Sequence, residues 1–414
     1  MFAGCAAPPP EGPKEIKIGV VVSLKGAGAV IGLDMGPSAE LAAEHINAKG
    51  GVFVKELNKA LPVKVFLADD EGTADGSVKA IRKLVLEDKV DALTGGFGTA
   101  PTMAGEAVAA ENKVPFVISG ASSPAVTRRT DLANIEYMFH HCPTTDDYSE
   151  QTMLFVNQVI KPAIYSKYNF SADRPLRLAV IYQSGGYGAG VLNGTEKAIA
   201  KNNLSFTIVE RQSYTPDATD FRAQLTKIKD AKPDVIYPAA WPGEQINIVL
   251  QGRRDLGIKS IFLSVECNDL AAYYTGIGSW GDLSIQESRF GPYATPKGID
   301  PVQSAKYKED FKAKNGRYPG MMGASTYDGV FIIAEAIKNA GSLDKAKIRD
   351  ALASIDMPAI VEPMKDAKIV FSKDYRESKF ELFMEQLYMN STLGETRPKI
   401  VWPDKIKETN FVLP

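Results

Sequence analysis

The sequence predicts an α/β protein of two doubly wound parallel-sheet lobes, and three observations carry that expectation. Strand-like and helix-like segments alternate along most of the chain, the pattern of parallel sheets covered by helices. The strand-like runs are short and continuously apolar, as befits strands buried on both faces. The alternation occurs twice in a similar layout, and 414 residues are too many for one compact core.

The first series has apolar runs at 16–24, 63–68 (VKVFLA), 90–94 (VDALT) and 114–119 (VPFVIS). Helical patterns fall between them at 36–48, 74–87 and 101–112. The texture changes over 120–145, read as a crossing between lobes. The second series has runs at 176–182 (LRLAVIY), 205–209, 234–237 and 260–264, with helices near 146–160, 189–202, 218–230 and 244–256. A second change of texture lies near 290–296, followed by a helix at 323–340 and an α-rich stretch to 355. From about 362 the chain reads as short strands.

Composition removes several function classes. Hydrophobic content of 44% and charged content of 24% are globular values, which argues against disorder. A net charge of −2 without a basic block gives nucleic acid no positive surface. No apolar stretch reaches the ~18 residues a membrane span needs. Near the N-terminus, Cys5 follows Ala3 and Gly4 and runs into a Pro-rich stretch. This resembles the end of a bacterial or archaeal lipoprotein signal, in which the Cys becomes the lipidated first residue; the alternative is an unstructured tail with an incidental Cys. Cys142 and Cys267 are the other two cysteines, and no CxxC exists to form a zinc ribbon or redox motif.

Ligands of open parallel sheets sit beyond the carboxyl ends of strands. After VDALTGG, Thr99 stands as an N-cap with Pro101 in the first turn. After VPFVIS, Ser122 or Ser123 precedes Pro124 in the same fashion. Two capped helix N-termini above adjacent strands suit a small anion such as a carboxylate, although a lone cap is ordinarily only a cap. In the second series Tyr187 follows in QSGGYGAG, Trp241 in PAAWPGE and Glu266 in SIFLSVE. A carboxylate at such a place can hold an ammonium, and the aromatics can wall an apolar side chain. Enzyme signatures for P-loops, nucleophile elbows and zinc proteases are absent. His140, His141 and Cys142 are adjacent, and consecutive side chains in extended backbone point to opposite faces, so they suit one metal poorly. The expectation is no metal, no cofactor and no catalysis.

The opening loop, SLKGAGAVIG, resembles a dinucleotide turn. Its glycines stand at 26, 28 and 32, one residue too far apart at the end for G-x-G-x-x-G. The first acids after a second strand, Asp69 and Asp70, come about twice too late to grip a ribose. A nucleotide-dependent oxidoreductase is therefore the least favoured reading.

Together, IKIGVVVSLKGAG, AELAAEHINAKGGV, DDEGTADGSVKAIRKLV, VPFVISGASSPAVT, QSGGYGAGV, PDVIYPAAWPGE and TYDGVFIIAEAI resemble the type I periplasmic binding proteins, in the branch that binds leucine, isoleucine and valine for ABC transporters. The resemblance runs from Ile16 to Trp402. It implies a flytrap of two lobes joined by three hinge crossovers, with 15–139 and 293–361 in the first lobe and 140–292 and 362–414 in the second, after a tail at 1–14. It further implies that Thr99 and Ser122 bind a ligand carboxylate, with backbone at Gly120 and Ala121, while Tyr187 approaches and Glu266 meets the ammonium. Trp241 stands where a tyrosine is usual, and Ile31 where an aromatic is common, which leaves Ile31 to help choose the ligand's side chain. The implied partners are a small amino acid and the permease of an ABC transporter. The implied form is a monomer in the periplasm or at the cell surface, lipid-anchored through Cys5. The alternative is the same fold holding an amide, urea or aromatic acid, as a sensor.

Overall fold

The computed structural model describes residues 12–414, apart from the side chains of Ala27 and Glu266. Five parallel strands form the first sheet, in the order Val63–Asp69, Ile16–Val22, Ala92–Gly95, Phe116–Ile118 and Met138–His140. Ile16, Ile18, Val20 and Val22 belong to the core shared with helices Ala29–Ala48 and Met321–Ala340, whereas Val21 belongs to the opposite layer with Ile81 and Ala109. Alternate side chains leave opposite faces of a strand, so one apolar run is buried by two helical layers.

The second sheet is also parallel, in the order Ile261–Phe262, Val235–Ala239, Leu176–Gln183 and Phe206–Tyr214. In each sheet the chain places its second strand on one side of the first and its third strand on the other. The crevice at that reversal lies between Ile16–Val22 and Ala92–Gly95 in one sheet, and between Leu176–Gln183 and Val235–Ala239 in the other. These are the places where open α/β sheets hold ligands.

The chain passes between the two bodies three times. It leaves the first sheet after His140, returns after strand Ile285–Ser288 to helix Pro301–Asn315, which packs on Ala29–Ala48, and leaves again before strand Phe383–Asn390. Three features depart from the expected elements. The 120–145 segment contains a fifth strand of the first sheet, Met138–His140. The first helix begins at Ala29, seven residues early, and continues through Pro37. Strand Ile285–Ser288 pairs antiparallel with Phe383–Asn390, which pairs with Glu395–Trp402, making a third sheet from distant parts of the sequence.

That third sheet covers two buried acids. Asp269 accepts from the Ser288 hydroxyl at 2.5 Å and from Tyr274, while Gln286 donates to Glu385 at 2.8 Å. Burial raises both carboxyls above their ordinary range, and the charge of Asp269 raises Glu385 further. An acid raised in the folded state favours folding below its unfolded pKa, and that contribution is lost as pH rises through the folded value. The melting temperature is therefore expected to fall as the pH rises from the ordinary carboxylate range through about 7, the value to which Asp269 is raised, and Glu385→Gln, which needs no proton, should reduce that slope. Identical slopes for the two proteins would exclude the pair as the source.

Candidate ligand-binding cleft

An inner cavity lies between the two crevices, lined by Phe97, Thr99, Gly120, Ser122, Tyr187, Trp241, Cys267 and Met322. Its volume is about 10 Å³, the room of about one water molecule. A wider cavity of about 190 Å³ shares Thr99, Tyr187 and Trp241 and also meets Gly26, Gly28, Glu71 and Asp217. A larger cavity, about 430 Å³, lies elsewhere, at Pro233, Asp234 and Ser260 beside the amino ends of the second sheet's strands. Position relative to the crevices, rather than size, selects the first two.

The structure thus brings Thr99, Gly120, Ser122, Tyr187 and Trp241 to one place. Two hydroxyls reach it by a route other than capping. Helix Thr99–Glu111 is preceded by Gly98, which supplies no side-chain cap, and Thr99 is its first helical residue. The first-turn amides of Thr99 and Ala100 have no intrahelical acceptor. On the neighbouring strand end the helix is one turn long, Ala125–Arg128, and Ser123, not Ser122, accepts from the Ala125 amide at 3.2 Å. The Ser122 hydroxyl instead meets the buried Tyr148 hydroxyl at 3.1 Å.

Two expected contributors stand apart. The Ala121 amide donates to Gly96 O at 2.8 Å, and its carbonyl faces His140 Nε2 at 2.6 Å, so its backbone is already engaged. Ile31 is only 2% exposed and lies in the core, lining neither cavity, because the helix that begins at Ala29 turns it inward. The aromatic from the first body is Phe97, whose ring centre is 5.0 Å from that of Trp241. Phe97 stands two residues beyond the strand end at Gly95 and is open to the same positional logic. Met322 comes from helix Met321–Ala340, and no local signal marks it. The Glu266 side chain and the whole of Cys5 lie outside the described residues.

Helix N-termini bring partial positive charge to the cleft, set against Glu71 and Asp217 at its wider part. Thr73, Gly98, Gly185 and Trp241, the residues preceding four helices, all line one or other cavity. Glu244 accepts from the Trp241 amide at 3.0 Å and from Gln183 and Tyr214, so that fourth terminus is satisfied internally. Burial holds the Tyr187 phenol well above its ordinary range, leaving it a neutral donor. Burial likewise pushes the Cys267 thiol up to about 12, so it lines the cavity as an unreactive, weakly polar group.

The two bodies touch across this cleft. The Phe97 and Trp241 rings, one from each body, lie 5.0 Å apart, and a Cβ on Gly186 would stand 3.2 Å from Thr99 Cγ2. Gly186→Val would thus meet the opposite body while leaving its own helix intact, and is expected to weaken ligand binding about tenfold through overpacking. Calorimetry checks this. Unchanged affinity would mean the two surfaces do not meet when ligand is bound.

The opening loop has a different task. Asp69 accepts from the Leu24 amide at 2.9 Å, and Asp70 accepts from the Ser23 hydroxyl at 2.6 Å and the Gly72 amide at 2.8 Å. Both acids order loops rather than await a ribose.

A family described as periplasmic binding protein matches residues 15–375. The chain is 23% identical over 365 residues to Leu/Ile/Val-binding protein homolog 7 of Brucella abortus, covering 83% of this chain and 82% of that one. Among solved structures it is similar to a leucine-binding protein from Thermotoga maritima, with a TM-score of 0.75 at 20% identity, over 94% of this chain and 100% of that one. It is also similar to a solute-binding protein of an ABC transporter from Rhodopseudomonas palustris in complex with 3,4-dihydroxybenzoic acid, with a TM-score of 0.74 at 18% identity, over 97% and 99% of the two chains.

Proposed function

The chain belongs to the periplasmic binding protein family, and from that premise we propose that it is of the branched-chain amino-acid group, captures a small apolar amino acid by closure of its two lobes and delivers it to an ABC transporter permease. The family implies an extracytoplasmic location, and no helix among the described residues is long and apolar enough to cross a membrane. Anchoring through a lipidated Cys5 belongs to this proposal, as do a monomeric state and lobe boundaries of 15–139 with 293–361 and 140–292 with 362–414.

The observation that carries the reading is the convergence of Thr99, Ser122, Tyr187 and Trp241 on one cavity at both crevices. Thr99, Ser122 and the amides at 99, 100 and 120 would take the carboxylate, with no cationic side chain lining the inner cavity among the described residues. Phe97, Trp241 and Met322 would face the ligand's apolar part. Glu266 would meet the ammonium. Ligand shifts the open–closed equilibrium only through contacts it makes better in the closed form.

A second reading keeps the cleft and changes the ligand to an aromatic acid, since one similar structure holds 3,4-dihydroxybenzoic acid and three aromatic rings, Phe97, Tyr187 and Trp241, line this cavity. Mass spectrometry of the small molecule released from purified protein, followed by thermal shift with a panel of amino acids and aromatic acids, separates the two. Leucine, isoleucine or valine in the released fraction and a raised melting temperature are expected. A shift with benzoates and none with amino acids would replace the first reading by the second.

A further inference from the structure

His141, Asp328 and Glu362 come from three separate parts of the chain and are each fully buried. His141 lies in the first passage between bodies, Glu362 at the third, and Asp328 on helix Met321–Ala340. His141 Nε2 stands 3.5 Å from Glu362 Oε2 and 3.9 Å from Asp328 Oδ2, and the three ligand atoms lie within 4.8 Å of one another.

The hydrogen bonds around them orient the donors inward. The Ser378 hydroxyl donates to the His140 carbonyl at 3.3 Å, so its oxygen accepts from His141 Nδ1 at 3.0 Å. That bond puts a proton on Nδ1 and turns Nε2 toward the two carboxylates, the arrangement of a metal-bound histidine held by an outer partner. Arg289 Nε and the Ser325 hydroxyl both donate to Glu362 Oε1, each at 2.8 Å, leaving Oε2 turned to the centre. The amides of Val361 and Glu362 approach Asp328 at 3.3 Å. Neither His141 Nε2 nor Glu362 Oε2 has a hydrogen-bond partner.

A bare imidazole nitrogen facing two carboxylate oxygens is repulsive, so a positive charge belongs between them. A proton on Nε2 would draw an oxygen to about 2.7–2.9 Å, the length of a charge-assisted hydrogen bond. Ligands about 2.0–2.2 Å from one ion, at tetrahedral to trigonal angles, stand about 3.3–3.8 Å apart. The observed 3.5 and 3.9 Å fit the second geometry better.

We propose that His141, Asp328 and Glu362 bind a divalent cation of the zinc type at the junction of the crossing segments. One imidazole nitrogen and two carboxylate oxygens suit Zn²⁺ and Mn²⁺ better than Ca²⁺ or a soft ion. The ion ties the first and third passages to helix Met321–Ala340, and Arg289, just beyond strand Ile285–Ser288, joins the second passage through its bond to Glu362. Adjacent His140 and Cys142 take no part: His140 Nε2 faces the Ala121 carbonyl, and Cys142 Sγ lies 3.6 Å from Arg289.

The test uses the full chain, because a buried site exchanges slowly. Protein purified natively, and protein refolded from denaturant with Zn²⁺ or Mn²⁺, is desalted and assayed for metal by plasma mass spectrometry. About one equivalent per chain is expected, with a higher melting temperature than protein refolded in chelator. Asp328→Asn and Glu362→Gln should each lower metal affinity about tenfold or more. Nitrogen-15 NMR of His141 in the wild-type chain reports the occupant without relying on a variant that folds. A metal-shifted Nε2 supports the site. Absence of metal in both preparations, an imidazolium signal in their place, or retention of metal by both variants would overturn it.

Discussion

Gly32→Ala is expected to destabilise the protein by more than about 3 kcal/mol, above the ordinary cost of overpacking. A Cβ at this position would stand 1.9 Å from the Ser23 carbonyl oxygen and 2.7 Å from its carbon, and backbone in a central strand end cannot step aside. Gly32 is helical, so the demand is for close approach of helix to strand and not for an unusual backbone angle. Gly36 on the same helix is the control. Its Cβ would meet only the two Leu67 methyls, at 3.4 and 3.8 Å, the end of a side chain that can rotate. Gly36→Ala should be neutral or stabilising by about 0.5–1 kcal/mol. Urea unfolding of the two variants checks both statements, and equal midpoints would refute the packing argument.

Glu266→Ala is expected to cost about 2–5 kcal/mol of amino-acid binding, the loss found when one partner of a desolvated charge pair is removed. The argument rests on charge balance in the cleft. Hydroxyls, first-turn amides and helix N-termini can take a carboxylate, yet no carboxylate among the described side chains lines the inner cavity to balance an ammonium. Residue 266 begins the turn Glu266–Asn268, beside Cys267, which lines that cavity. Chain position thus brings this acid to the edge of the inner cavity. An aromatic acid has no ammonium, and its binding should survive the substitution. Calorimetry with leucine on wild type and Glu266→Ala decides the matter, and matching affinities would remove Glu266 from the site.

Residues at strand ends were legible because topology alone sends them to the crevices. Thr99, Ser122, Tyr187 and Trp241 were found that way, and all four meet. The reason given for two of them was incomplete, since Thr99 caps nothing and Ser123 does the capping next to Ser122. A hydroxyl before a proline signals a helix start, but which oxygen turns back on the helix depends on the backbone path. Ile31 was misplaced for a related reason. Gly32, Gly36 and Pro37 all argue locally against a helix, and packing against strand and neighbouring helix overrides them. The pairing of the third sheet and the carboxylates that face His141 were not legible, because these segments are brought together only by the repeated crossings.

Those crossings also govern how the chain can be made. Strand Ile285–Ser288 finds its partner only when residues 383–390 exist, and Met138–His140 forms an isolated bridge between His140 and Glu377. While the chain is being synthesised, the second body therefore stays incomplete until nearly the last residues emerge. Contacts between such distant segments slow folding. A nascent chain of this kind has a long interval in which apolar strands are uncovered, and one cut cannot release either half as a finished unit.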